Sequence, residues 1–183
     1  IDQKNIEKFV DTVAALEPTF GGINLEDIKG PDCFEIEAQL RERMSIPVFH
    51  DDQHGTAVVA LAALINAAKV VNKNLNDMKI VINGAGSAGL AIAKLLAGFG
   101  QKHPKVHVKN IIVCDRKGAI SKYRDDIAHL PYKLEIMNCT NPAQLKGTVH
   151  EVLAGADVFI GVSESNLLTA DHIRTMARDA IVL

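Results

Sequence analysis

The segment Lys79-Ile-Val-Ile-Asn-Gly84-Ala-Gly86-Ser-Ala-Gly89, running directly into the apolar stretch Leu90 to Phe99, constrains the fold more than any other part of the chain. A β-branched run that passes into GxGxxG and then into a helical pattern reads as strand, phosphate-cradling turn and helix. Gly84 permits the tight turn, Gly86 lets backbone approach a pyrophosphate, and Gly89 allows close helix-on-strand packing. Gly84, Ala85, Gly86, Ser87, Ala88 and Gly89 are therefore the expected cradle of a dinucleotide, with the free N–H groups of Gly86 to Ala88 drawing its negative charge. The competing reading of the same residues is a Gly-rich turn without a ligand.

From residue 55 onward, buried-strand patterns alternate with helical ones, the order expected of βαβ units around a parallel sheet. The expected strands are Lys79 to Asn83, Asn110 to Cys114, Lys133 to Met137, Asp157 to Val162 and Ala180 to Leu183. The expected helices are Thr56 to Val71, Ser87 to Phe99, Gln144 to Ala154 and Ala170 to Arg178, with Gly100 and Gly155 placed as left-handed stops for two of them. The fold class is thus α/β, a Rossmann-like doubly wound parallel sheet over residues 55–183. Residues 1–54 form a separate unit: a helix, an apolar stretch Thr19 to Leu25, a second helix opened by Pro31, and a short strand Pro47 to Phe49.

Lys plus Arg number 20 against 22 Asp plus Glu, so a formal charge of −2 offers no basic footprint for nucleic acid. The apolar run Ala57 to Val71 is broken by Asn66 and Lys69 and is short for a bilayer; it reads as a buried helix, with no membrane contact. The N-terminus lacks an initiator Met and the grammar of a signal peptide, and a cytoplasmic protein is expected. Cys33, Cys114 and Cys139 are odd in number and form no CxxC pair, which predicts reduced structural thiols. Helical spacing in the first residues and a core-like strand at Ala180 to Leu183 suggest a piece of a longer chain.

The strand Ile111 to Asp115 ends in an acid where this fold hydrogen-bonds the adenosine ribose, with the polar insert Gln101 to Asn110 lengthening the usual spacing of about 20 residues. The Asp115 carboxylate should repel a 2′-phosphate and favour NAD, whereas Arg116 beside it suits NADP; a strand-end carboxylate capping its own turn is the bland alternative. Two further acid pairs, Glu26-Asp27 and Asp51-Asp52, each follow an apolar strand-like segment. Crowded carboxylates are costly unless a cation gathers them, and hard oxygen donors suit Mg²⁺ or Mn²⁺; solvated turns are the alternative. Of His50 and His54, one is expected at the surface and the other as a hydrogen-bonding partner. The charges of the 31–44 helix (Glu35, Glu37, Arg41, Glu42, Arg43) and Lys79, Lys94 and Lys122 are expected to be solvated.

The block Phe49-His-Asp-Asp-Gln-His-Gly55-Thr56 closely resembles the signature of the malic enzymes, and Phe20-Gly-Gly-Ile-Asn-Leu-Glu26-Asp27-Ile matches another segment of the bacterial-type members. Asn83 to Gly89, Asp115-Arg-Lys-Gly118 and Asp157-Val-Phe-Ile-Gly-Val-Ser163 extend the resemblance in order over nearly the whole chain. The resemblance implies that residues 1–54 are the last part of an α/β N-terminal substrate and metal domain. It implies oxidative decarboxylation of L-malate to pyruvate and CO₂ with reduction of NAD or NADP, Mn²⁺ or Mg²⁺ held by Glu26, Asp27 and Asp52, and Asp51 as an auxiliary acid. Thr56 either caps its helix or touches the nicotinamide side of the cofactor, and Val162 and Ser163 lie at the crevice edge. Ser163-Glu-Ser-Asn166 departs from the small-residue and proline pattern of the family. The family's general-acid Tyr and general-base Lys belong to segments outside these residues, so the fragment alone is expected to be inactive; a homodimer or higher homo-oligomer is implied. A malolactic-type enzyme and a non-catalytic NAD-binding module are the alternative readings.

Overall fold

The computed structural model describes residues 1–102 and 104–183, so one residue of the 101–110 insert lies outside the described residues. In chain order the elements are α1 (Ile6–Ala14), β1 (Ile23–Leu25), α2 (Asp32–Arg43), β2 (Val48–His50), α3 (Thr56–Val70), β3 (Lys79–Asn83), α4 (Ser87–Leu96), β4 (Asn110–Asp115), β5 (Gly118–Ala119), α5 (Pro131–Cys139), α6 (Val149–Leu153), β6 (Val158–Gly161), α7 (Ala170–Arg174) and β7 (Ile181–Val182).

Residues 80–83 present Ile, Val, Ile and Asn, all buried, because helices cover both faces of the strand. The sheet runs β5-β4-β3-β6-β7, parallel except for the short β5. On one face Ile80, Ile82, Ile111 and Val113 pack with Leu64 of α3, Leu90 and Leu96 of α4 and Ile136 of α5. On the other, Val81, Ile112 and Phe159 pack with Val152 and Leu153 of α6 and with Met176. Each such buried aliphatic chain contributes about 1.5–3 kcal/mol relative to exposure. The chain crosses from β4 back past β3 to β6, so the strand order reverses beside β3, the place where this architecture leaves a crevice at the C-terminal strand ends.

The N-terminal residues build a smaller βαβ unit. Val10 and Val13 of α1 and Ile36 and Leu40 of α2 close over Leu25. β1 and β2 are parallel, in the register Ile23↔Val48, Asn24↔Phe49, Leu25↔His50.

Several boundaries differ from expectation. Lys133 to Met137 is helix, not strand: Pro131 occupies the first helical turn, Ile136 is buried, and β5 takes the place beside β4. The helix expected from Gln144 begins only at Val149, where Thr148 and Glu151 form a capping box. Before it, buried Asn141 organises a loop by donating to the Ile120 and Leu145 carbonyls. α4 stops at Leu96, ahead of left-handed Gly98 and Gly100, and α7 stops at Arg174. Gly155 is left-handed, as expected. α3 is buried on one side only; Val58, Val59 and Val70 are exposed. No helix among the described residues is long and apolar enough to cross a membrane.

Candidate functional site

The glycine turn behaves as its sequence demands. Gly84 has φ +127°, and a Cβ there would lie 2.9 Å from the Val162 carbonyl oxygen. A Cβ on Gly89 would lie 1.7 Å from the Gly84 carbonyl oxygen, so α4 seats against the β3 end only because both residues lack side chains. At Gly86 the reverse holds: a Cβ meets nothing within 4 Å. Gly86 is also the N-cap of α4 and makes no side-chain cap, which leaves the first N–H groups, those of Ser87, Ala88 and Gly89, without intrahelical partners. Open space before an uncapped helix start fits a diphosphate. Ala85 lines the same crevice, of about 450 Å³, with Asn83, Asp115, Arg116, Thr148, His150 and Ser163. Val162 donates its N–H to the Asn83 carbonyl at 3.0 Å, which holds the end of β6 beside the Gly84 turn.

Asp115 stands at the end of β4, mostly buried, and is heavily engaged. Its Oδ1 accepts from Lys117 N–H (2.9 Å) and Arg124 Nη1 (3.0 Å); its Oδ2 accepts from Arg124 Nη2 (3.0 Å) and Lys133 Nζ (2.7 Å). Burial pushes its carboxyl up, but these hydrogen bonds outweigh burial and hold it below its ordinary value of 3.8. Arg124 also grips Asp126 through Nε and Nη2, and its guanidinium is pushed up by that pair. Arg116 by contrast is almost fully exposed, and among the described residues its ion-pair partner is Glu164 at 3.5 Å. The negative charge expected to repel a 2′-phosphate is thus compensated by two cations. Sequence reasoning missed Arg124 and Lys133; nothing local to Asp115 signals an arginine nine positions on or a lysine from a helix taken for a strand.

The two acid pairs meet through strand register. Because Leu25 pairs with His50 in a parallel ladder, Glu26-Asp27 and Asp51-Asp52 leave the same end of adjacent strands. Asp52 Oδ2 accepts the Asp27 backbone N–H at 2.9 Å, and Asn24 Nδ2 donates to Glu26 Oε1 at 2.8 Å. Among the described residues none of the four carboxylates has an ion-pair partner, and no three His, Cys, Asp or Glu side chains stand at metal-binding distances. Three exposed acids and a half-buried Asp52, with no cation among the described residues paired to them, fit in donor chemistry a hard divalent ion drawing Glu26, Asp27 and Asp52 together. Asp51 packs its carboxylate against Gly55, where a Cβ would lie 2.0 Å from Oδ1.

Asp51–Gly55 form a π-helical turn that leads into α3 without a break: Thr56 has helical dihedrals, donates its N–H to the Asp51 carbonyl, and makes no side-chain cap. The capping role weighed for Thr56 is therefore absent. His50 is fully buried with neither ring nitrogen partnered, so neither histidine is a plain surface residue. His54, partly exposed, meets Glu37 Oε1 at 2.6 Å. Glu37 is itself buried on α2, contrary to the expectation of a solvated face. An acid in line with Cys33, Ile36 and Leu40 on the apolar stripe was the overlooked signal. Of the lysines expected in solvent, Lys94 pairs with Glu135, Lys79 donates to the Ala154 carbonyl at 2.6 Å, and Lys122 lies over the Tyr123 ring.

The family model described as malic enzyme, NAD binding domain, matches residues 53–181, and that of the malic enzyme N-terminal domain matches residues 2–41. The NAD-dependent malic enzyme of Geobacillus stearothermophilus is 52% identical over 182 residues, spanning all of this chain and 36% of that protein. The NADP-dependent malic enzyme of Salmonella typhimurium is 48% identical over the whole of this chain and 23% of its own length. The crystal structure of the NAD-dependent malic enzyme of Thermotoga maritima superposes with a TM-score of 0.91 at 44% identity, covering all of this chain and 46% of that one. The chain thus spans less than half the length of each of these proteins.

Proposed function

The chain belongs to the malic enzyme family, and from that premise we propose that the enzyme of which it forms part converts L-malate to pyruvate and CO₂ while reducing NAD or NADP. Residues 1–54 contribute the metal acids and residues 55–183 the dinucleotide site. The observation that supports this most is the parallel register of β1 and β2, which brings two acid pairs to one strand end without a cation to balance them. When bound, the divalent ion supplies Lewis acidity toward the hydroxy acid and the nicotinamide supplies the hydride acceptor. Glu26, Asp27 and Asp52 hold the ion, and Asp51 is an auxiliary acid beside the substrate. Gly84 to Gly89 orient the diphosphate, and the uncapped N–H groups of Ser87 to Gly89 hold its charge. Thr56, freed from capping, is left for the cofactor's nicotinamide side, with Val162 and Ser163 edging the crevice.

Asp115 and Arg116 flank the adenosine ribose. We retain NAD as the favoured cofactor on the charge of Asp115, while Arg124 and Lys133, by compensating it, keep NADP within reach. The 183 residues alone are expected to be inactive, and the full enzyme to be a cytoplasmic homodimer or higher homo-oligomer. The test is to supply the full-length enzyme with L-malate, NAD or NADP, and Mn²⁺ or a chelator, and to identify products. Chelator-sensitive formation of pyruvate with free reduced cofactor is expected, and Asp52→Asn should abolish it. Lactate without free reduced cofactor would mean a malolactic enzyme, and no product a binding module.

A further inference from the structure

The acids Asp51 and Asp52 sit on a π-helical turn, a conformation rarely held by backbone preference alone and frequent at functional sites. Something outside the turn must fix it. The two residues that follow the acids, Gln53 and His54, both direct their side chains to one carboxylate: Gln53 Nε2 donates to Glu37 Oε2 at 3.1 Å and His54 Nε2 meets Glu37 Oε1 at 2.6 Å. Gln53 is 5% exposed and Glu37 7%, so this contact is shielded from water. Glu37 lies on α2, the helix entered from the other acid pair, since Asp27 precedes Asp32 by five residues. One buried carboxylate therefore ties the turn bearing the second acid pair to the helix that follows the first. The Asp27 N–H to Asp52 hydrogen bond is the direct contact between the two halves that this tie maintains. Below the turn, His50 is buried without a partner and offers no polar anchor of its own.

We propose that Glu37 is a positioning residue for the divalent-metal site: by holding Gln53 and His54 it sets the π-turn so that Asp52 stays on the Asp27 N–H, at the strand end that carries Glu26. The proposal rests on the metal reading of those acids, and it assigns Glu37 no contact with metal, substrate or cofactor. Its consequence is separable from folding. Loosening the turn weakens metal affinity first; α4 also packs against the turn, but the cradle at Gly84 to Gly89 sits at its far, N-terminal junction with β3, so NADH affinity is expected to hold.

The experiment uses the full-length enzyme. Free Mn²⁺ is read by its aqueous paramagnetic resonance signal, and NADH binding by fluorescence, in wild type, Glu37→Gln, His54→Gln and Asp52→Asn. Glu37→Gln keeps volume but loses the charge and one acceptor; His54→Gln leaves Glu37 in place and removes the imidazole contact. Both are expected to raise the Mn²⁺ dissociation constant at least 10-fold, with NADH affinity within 2-fold of wild type. The KM for Mn²⁺ should rise similarly. Two variants that bind Mn²⁺ as wild type does, or that lose NADH and Mn²⁺ affinity in parallel, overturn the positioning role. Wild type that leaves the Mn²⁺ signal intact overturns the metal reading and this inference together, whereas loss of binding in Asp52→Asn alone keeps the metal reading and removes Glu37.

Discussion

Substituting Gly86 by Ala separates cofactor binding from stability, because the two outcomes depend on different atoms. In the free protein the new methyl group meets nothing within 4 Å, and the residue's dihedrals, φ −95° and ψ −163°, are extended backbone open to alanine. Alanine is a poorer N-cap than glycine by about 0.5–1 kcal/mol, but it also restricts the unfolded chain by about 0.4–1 kcal/mol. These effects oppose one another, and the net change is expected within about 0.5 kcal/mol. In the complex the methyl occupies the space through which the diphosphate reaches the N–H groups at the start of α4. Losing one charge-assisted hydrogen bond weakens binding by about 1.5–3 kcal/mol. That corresponds to a roughly 10- to 150-fold rise in the NADH dissociation constant. Calorimetric titration of NADH into the full-length enzyme measures the second quantity, and a thermal melt measures the first. Gly89→Ala is the internal contrast: its Cβ would lie 1.7 Å from a backbone oxygen, so α4 must move and stability should fall by more than about 3 kcal/mol. A Gly86→Ala enzyme that binds NADH within 3-fold of wild type, or one that melts many degrees lower, refutes the reading of open space as a diphosphate seat.

Gly55→Ala should act through Asp51, since its Cβ would overlap the Asp51 carboxylate at 2.0 Å; kcat/KM for malate is expected to fall at least 10-fold in steady-state assays, although a helical φ of −62° suits alanine. Burial pushes the Cys33 thiol up to about 11 and the Cys114 thiol up to about 12, so neither is a thiolate at neutral pH, and mass spectrometry after iodoacetamide treatment at pH 7.5 should find both unmodified in the folded enzyme. Asp115, held below 3.8, contributes stability that is present above that value and lost as pH falls through its lower folded value. Urea midpoints at pH 6 and pH 3 should therefore differ less in Asp115→Asn than in wild type, and an unchanged difference would contradict the ion cluster. Lys133→Ala is expected to lower kcat/KM with NADP more than with NAD, read by reduced-cofactor absorbance.

The sheet and its crevice were legible because the strands are apolar on both faces and because the GxGxxG spacing places Gly84 and Gly89 where a Cβ would clash and Gly86 where the backbone must stay open. The segment 133–137 was not, since the short charged–apolar alternation Lys-Leu-Glu-Ile-Met reads as strand while five residues are too few to show a helical period, and Pro131 in the first turn was the better signal. The acid pairs were legible as pairs, and their meeting follows from β1 and β2 being parallel neighbours, a tertiary fact. Asp115 was legible but its neutralisation was not, because Arg124 and Lys133 reach it from a loop and a helix with no fixed sequence offset. Glu37 was misread as solvated although its spacing from Cys33 and Leu40 already placed it on the buried stripe.

One end of the β1–β2 pair is proposed to hold a divalent ion while the β3–α4 turn holds a dinucleotide. Anomalous diffraction from crystals of the full-length enzyme grown with Mn²⁺ and NADH tests both halves at once. A Mn²⁺ peak ligated by Glu26, Asp27 and Asp52 is expected, with diphosphate density against the N–H groups of Ser87 to Gly89. A Mn²⁺ peak ligated by other residues, or a dinucleotide lying away from Gly84 to Gly89, would contradict it.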